Sequence, residues 1–119
     1  MNTYPVIFRD WQGEAIRAEG HWWLSPRQIT DHLRLDWKSQ HRKITSSNLA
    51  QGMVIMTIPS AGGPQDTLVL KMAYFGAWLL GINASKVKSE QHATLEAMQA
   101  QLFDALERQL HRMFDLPGS

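Results

Sequence analysis

The sequence predicts a small α+β domain, in which β-hairpins pack with short helices and one long C-terminal helix. Three patterns support this fold class. Residues 4–24 contain short stretches of β-forming residues divided by turn signals. A second pair of such stretches flanks the glycine- and proline-containing segment 60–66. From Gln91 to Phe114, apolar residues recur at three- and four-residue steps, as one face of a long helix requires.

Length and composition narrow the possible classes of protein. The 119 residues are enough for one domain core but few for two, so we expect a single domain over 1–119. Its hairpins and short helices should occupy 3–72, and its helical part 73–116. A net charge of +1 gives the whole chain no electrostatic reason to bind nucleic acid or a membrane. The chain has no cysteine, no visible signal peptide and no apolar run of membrane-spanning length, so a cytoplasmic location is expected.

The pattern of the N-terminal segment predicts three short β-strands. The stretch Tyr4–Arg9 is rich in β-forming residues, and two further stretches flank Gly20, which can supply the positive φ of a hairpin turn. Trp22 and Trp23 are adjacent, so in a strand one should face the core and the other the opposite side. An exposed tryptophan could anchor a partner, and Trp23 is the candidate for that role. Alternatively, both rings serve packing alone.

Two short helices should follow. Ser25 can cap the first helix, Pro26 suits its first position, and Gln28 can close a capping box with Ser25. Asp36 has the character of an N-cap, which makes Trp37–Ile44 a second helix. We expect Trp37 to lie in the core because its neighbours are apolar.

The second half predicts a hairpin, a buried helix and the long final helix. Met53–Pro59 and Thr67–Met72 should pair as antiparallel strands, and Tyr74–Ile82 is apolar on nearly all sides, as a buried helix would be. Pro117-Gly118 should close the final helix. The apolar face of that helix comprises Leu95, Met98, Leu102, Leu106, Leu110 and Met113.

This last helix also predicts self-association. Phe103 and Phe114 lie beside the stripe of Leu102, Leu106 and Leu110, which widens the apolar surface beyond what one sheet needs. We expect Leu102, Phe103, Leu106 and Leu110 to contact a second copy and form a homo-oligomer. The alternative is that this face simply covers the chain's own sheet.

Catalysis is not expected. The histidines have no zinc-site spacing, and neither a nucleophile elbow nor a phosphate-binding glycine loop is present. The sequence therefore predicts a protein that is not an enzyme and has no metal and no cofactor.

A basic run is the strongest functional signal from the residues alone. In the second helix Lys38, His41 and Arg42 lie three and four residues apart and share a face, with Lys43 beside it and Arg34 just before. These residues are the candidate partner- or nucleic-acid-binding site, together with Trp23. Three interpretations remain open: a solvated surface, contacts to phosphates, or contacts to an acidic patch on a partner protein.

Three separated blocks of the sequence form a recognisable series. They read Leu35-Asp36-Trp37 with Gln40, Lys43 and Ile44, then Thr57-Ile58-Pro59-Ser60, then Trp78-Leu79 with Ile82, Asn83, Val87 and Lys88. In order and spacing these blocks resemble the N-terminal domain of temperate-phage antirepressors, a group related to the N-terminal domains of baculovirus repeat proteins, and the resemblance covers roughly residues 5–88. The family's Tyr-Gln-Glu element in the last helix is replaced here by Glu96-Ala97-Met98-Gln99.

The resemblance implies a phage or prophage regulator in the cytoplasm of a bacterial host. Such a protein would bind a phage repressor by protein–protein contact, relieve lysogenic repression and form homo-oligomers. The related viral domains are associated with DNA, so the resemblance also implies a second possibility. In that case the chain would be a DNA-binding transcriptional regulator that uses the basic helix 36–45.

Overall fold

A computed structural model describes residues 2–59 and 61–114, and for Met113 and Phe114 it describes the backbone alone. Short 3₁₀ turns cover Asn48–Gly52 and Ala84–Lys86. No helix within the described residues combines the length and the apolar character needed to cross a bilayer. The remaining elements are β1 (Asn2–Phe8), β2 (Trp11–Ala18), β3 (His21–Leu24), α1 (Pro26–Leu33), α2 (Trp37–Thr45), β4 (Met53–Ile58), β5 (Gln65–Lys71), α3 (Met72–Leu80), α4 (Ser89–Ala97) and α5 (Phe103–Phe114).

The strands form one antiparallel sheet in the order β1-β2-β3-β5-β4, with helices packed on it, so the predicted α+β class is confirmed. The β2–β3 hairpin turns at Glu19 and Gly20, whose φ angles of 53° and 77° match a type I′ turn. The predicted turn at Gly20 is therefore confirmed. β3 and β5 pair through Trp23 opposite Lys71 and Leu24 opposite Leu70, which joins the N-terminal strands to the second hairpin.

The start of α1 differs from the predicted capping box. Pro26 occupies the first turn as expected, but the buried Ser25 side chain makes no capping hydrogen bond. The Gln28 side chain does not reach back to Ser25, because its Oε1 accepts a hydrogen bond from the Glu14 N–H at 3.1 Å. The Gln28 carbonyl also accepts from the Trp11 indole at 3.2 Å. Gln28 therefore joins α1 to β2 instead of closing the helix start.

The start of α2 agrees with the prediction. Arg34 ends α1 in the left-handed conformation with φ 57°, and the chain then turns into α2. The Asp36 carboxylate accepts hydrogen bonds from the Ser39 N–H at 3.2 Å and from the Ser39 hydroxyl at 2.7 Å. Asp36 is thus the N-cap of α2.

These two hydrogen bonds, the hydroxyl first, hold the pKa of Asp36 below its usual value. A lowered pKa in the folded state means that the cap stabilises the protein above the unfolded-state pKa and loses that effect as the pH falls through the folded-state pKa. We expect Asp36→Ala to lower the melting temperature near neutral pH. The difference from the native protein should shrink on acidification, as measured by thermal unfolding at a series of pH values.

The matched control for this prediction is Asp36→Asn. Asparagine keeps a capping oxygen but does not titrate, so the Asn and Ala variants should differ by a similar amount at every pH. A gap between native protein and Asp36→Ala that is equally large in acid and at neutral pH would contradict the assignment.

The final helix is continuous from Ser89 to Phe114 but contains a π-helical segment at Met98–Leu102. Within that segment the Gln99 amide donates hydrogen bonds to the carbonyls of Leu79 and Ile82, each at 3.1 Å. The π segment therefore brings Gln99 to the end of α3, where helix carbonyls lack internal partners. The predicted stop at Pro117-Gly118 lies outside the described residues, as do Ser60 and the side chains of Met113 and Phe114.

The apolar stripe of this helix lies inside the chain's own core. Leu102, Leu106 and Leu110 are almost completely buried. The ring of Phe103 is half-buried and packs against Gly76 of α3, where a Cβ would meet Phe103 Cε2 at 2.8 Å. Burial of the three leucines contradicts their assignment to a self-association surface, because a face covered by the sheet and α3 cannot also contact a second copy. Their core partners include Val6, Phe8, Trp11, Leu24, Leu70, Phe75 and Trp78.

Candidate partner-binding site

One side of helix α2 packs against the core and α3, so that the basic side chains on its other side point into solvent. Ile44 is fully buried, and the Gln40 side chain accepts a hydrogen bond from the Trp78 indole at 3.0 Å. With those positions inward, the helical repeat of 3.6 residues directs Lys38, His41 and Arg42 outward together. All three are exposed and border the same surface depression. We call Lys38, His41 and Arg42 the basic face.

Lys43, which was predicted to lie beside this face as a candidate partner-binding residue, does not border the depression that Lys38, His41 and Arg42 share. It lies on the other side of α2, near Asn83 and Lys86. Its ammonium donates a hydrogen bond to the Gly81 carbonyl at 2.8 Å, at the C-terminal end of α3. A cation is favourable at a helix C-terminus, so Lys43 has a structural partner within the chain. Arg34 is exposed at the junction of α1 and α2.

Trp23 is not the exposed aromatic that was predicted. Only 3% of it is accessible, and it forms a small cluster with Ile16 and Val69 on the sheet face opposite the main core. Its indole donates a hydrogen bond to the Ala18 carbonyl at 3.0 Å. Trp22 is half-buried on the other face, beneath the Arg17 guanidinium at 5.0 Å from its ring. Both tryptophans therefore serve packing, and Trp23 cannot contact a partner.

Trp37, and not Trp23, is the partly exposed tryptophan beside the basic face. It is half-buried rather than fully in the core, and it borders the basic face. The Arg27 guanidinium lies 5.9 Å from its ring centroid, and the His41 ring approaches edge-on at 5.7 Å. Tryptophan and arginine are the side chains most enriched among residues that dominate binding energy at protein interfaces. Trp37 was predicted to lie in the core; the spacing of four residues between Trp37 and His41 is the sequence signal that could have indicated this placement.

A groove of about 620 Å³ opens beside this aromatic residue, between the helices and the second hairpin. Sequence reasoning missed it, because its walls come from segments that are distant along the chain. Asp31 from α1 and Asp66 from β5 place negative charge in the same groove as Arg27 and His41. The other residues of its lining are Ser25, Gln28, Trp37, Ile55, Gln65, Thr67 and Leu68.

The mixture of charges indicates what the surface can bind. A surface that binds the phosphate backbone of a nucleic acid is typically positively charged throughout. A surface that binds a protein typically combines positive and negative charges with aromatic side chains. Asp31 and Asp66 therefore give the groove beside Trp37 both signs of charge. Among the described residues, no group of three or more histidines and carboxylates is placed to hold a metal ion.

Comparison with known proteins identifies the family. The family model of the P22_AR N-terminal domain matches residues 5–113. This range includes every strand and helix described above, apart from the first three residues of β1 and the last residue of α5. No curated protein and no solved structure matches the chain significantly. The match extends well beyond the blocks that carry the resemblance in the sequence, into the final helix with its π segment. The chain belongs to the family of phage antirepressor N-terminal domains.

Proposed function

We propose that this protein is an antirepressor that binds a transcriptional repressor by protein–protein contact and thereby relieves repression. Membership of the antirepressor N-terminal domain family is the observation that carries the proposal. The basic face, with Trp37 and the groove beside it, is the surface that we assign to the repressor.

The rigidity of α2 supports this assignment. Its start is capped by Asp36, its middle is tied to α3 through Gln40, and its end is anchored by Ile44. A surface that is already held in its binding conformation loses little conformational entropy when a partner docks. The basic face therefore presents its side chains from a fixed backbone.

The charge of the chain supports contact away from the repressor's DNA-binding surface. Such surfaces are basic because they neutralise phosphates. A protein that blocked one by imitating DNA would need an acidic face, whereas this chain has a net charge of +1 and presents cations on α2. We therefore assign it an acidic or mixed surface elsewhere on the repressor, where binding would disturb the repressor's assembly or its fit to DNA.

A gel-shift assay with operator DNA and the repressor of the same prophage tests the proposal. We expect the native protein to release operator from repressor without shifting bare DNA. Lys38→Glu combined with Arg42→Glu should weaken this release by about tenfold or more, because reversed charges at an interface repel the groups that the native cations attract.

The matched control is Lys86→Glu combined with Lys88→Glu, which makes the same change in net charge at exposed positions outside the basic face. It should release operator as well as the native protein does. Equal loss in both variants would show that overall charge matters and the basic face does not. A salt-sensitive shift of bare DNA would instead support direct DNA binding through α2.

A further inference from the structure

The two edges of the sheet are built differently, and the β1 edge is closed. In an antiparallel edge strand, alternate residues direct both backbone groups away from the sheet. At Ile7 both of these groups are occupied, because its N–H donates to Gln109 Oε1 at 3.0 Å and its carbonyl accepts from Gln109 Nε2 at 2.7 Å. Pro5, two residues earlier and therefore in the same orientation, has no N–H to donate. These are devices by which proteins prevent further strands from adding.

The β4 edge has none of these devices within the described residues. The strand Met53–Ile58 contains no charged residue, no proline and no glycine, and its strand neighbour is β5 alone. Ile55 is 57% exposed and Val54 is 37% exposed, although both are apolar. Apolar edge strands that lack such protection are the ones to which another strand adds.

We propose that β4 pairs with β4 of a second copy of this chain, antiparallel about a twofold axis. The inference goes beyond the proposed function and does not rest on it. An added strand must itself be exposed, apolar and uncharged, because a charge placed against these side chains would be desolvated without a partner. β4 of another copy meets these requirements, whereas β1 is closed by Pro5 and Gln109. The pairing would join two sheets into one continuous sheet.

The geometry of antiparallel pairing limits the contacts. Residues opposite each other point to the same face of the sheet, so the axis passes through a residue and its own copy. With the axis at Ile55, the two exposed isoleucines meet on the helix-bearing face and Val54 lies opposite the partner's Met56. With the axis at Met56, Ile55 lies opposite the partner's Thr57. Both arrangements bring apolar groups together and place no charge against another.

The absence of native cysteine allows a direct test by disulfide formation. Cysteines that face each other across antiparallel strands lie within the Cα distance that a disulfide spans. We expect Ile55→Cys or Met56→Cys to give a covalent dimer under mild oxidation. Ile7→Cys is the matched control, since Ile7 is 54% exposed on the closed β1 edge and should remain monomeric.

Light scattering of the native protein and of Ile55→Lys provides the second measurement. The native protein should have twice the mass of one chain, and Ile55→Lys should halve it, because in either arrangement each lysine would place a charge against the partner's uncharged strand. Ile7→Lys should leave the dimer unchanged. A monomeric native protein would overturn the pairing, as would a dimer that survives Ile55→Lys and forms no disulfide at residue 55 or 56.

These outcomes are separate from those of the gel-shift assay. A monomeric protein that still releases operator would overturn the β4 pairing and leave the proposed function intact. Ile55 also lines the groove that we assign to the repressor, so a native monomer that loses repressor binding on Ile55→Lys would place Ile55 in the repressor contact and overturn pairing between copies.

Discussion

Replacing Trp78 by alanine is expected to lower the free energy of unfolding by about 3–5 kcal/mol, a large part of the stability of a domain of this size. Trp78 is fully buried, its ring contacts Phe75 at a centroid distance of 5.6 Å, and its indole N–H is bonded to Gln40. Alanine would leave a cavity and would also deprive the Gln40 side chain of its partner. Chemical denaturation of the purified variant measures the effect.

Two further variants separate the contributions. Leu80→Ala lies in the same helix but is 65% exposed, so its effect should stay within about 0.5 kcal/mol. Trp78→Phe keeps an aromatic ring and removes the hydrogen bond, so it should destabilise the protein less than alanine does. If Trp78→Ala were as mild as Leu80→Ala, α3 would not be packed as described.

Helix α2 would also be affected by the loss of Trp78, because Gln40 is one of the residues that orient it. The opposite face of α2 carries Lys38 and Arg42, which we assign to the repressor. Loss of Trp78 should therefore weaken operator release beyond what the fraction of folded protein explains. The contact links the packing of the core to the candidate site.

Features that depend on local physics could be predicted from the sequence. The Glu19-Gly20 turn needs positive φ angles, and Asp36 caps the amide groups of the residues that follow it. Pro26 at the start of α1 depends on its own fixed φ. The apolar period of the final helix depends on neighbours within two turns. In each case the determining interaction lies within a few residues of the signal.

Features that depend on distant partners could not be predicted. The glutamines Gln28, Gln99 and Gln109 each bond backbone groups of another element, and nothing near them in sequence indicates which element that is. Lys43 was placed with its neighbours in sequence, yet its partner Gly81 is distant. Trp23 is buried on the face opposite the main core, because Ile16 and Val69 from neighbouring strands surround it.

The most instructive difference concerns the surface through which copies of the chain would meet. An excess of apolar residues in a helix can be used by the chain's own sheet, as it is for Leu102 and Leu110. An edge strand, by contrast, has outer backbone groups that no strand of its own sheet bonds, and these groups can pair with another strand. We therefore place the proposed interface between copies at β4 and not on the final helix.

Leu106→Ala tests that difference and should lower the free energy of unfolding by about 2–5 kcal/mol. Leu106 is fully buried within one chain, so the loss should be the same at low and high protein concentration and in the Ile55→Lys background. A residue at an interface between copies would behave otherwise, since mass action makes its contribution depend on protein concentration. Chemical denaturation at two protein concentrations decides whether Leu106 is a core residue or an interface residue. The variant Glu107→Ala, at an exposed position of the same helix, is the control. If the destabilisation by Leu106→Ala disappeared on dilution or in the Ile55→Lys background, Leu106 would have to lie at an interface between copies and not in the core of one chain.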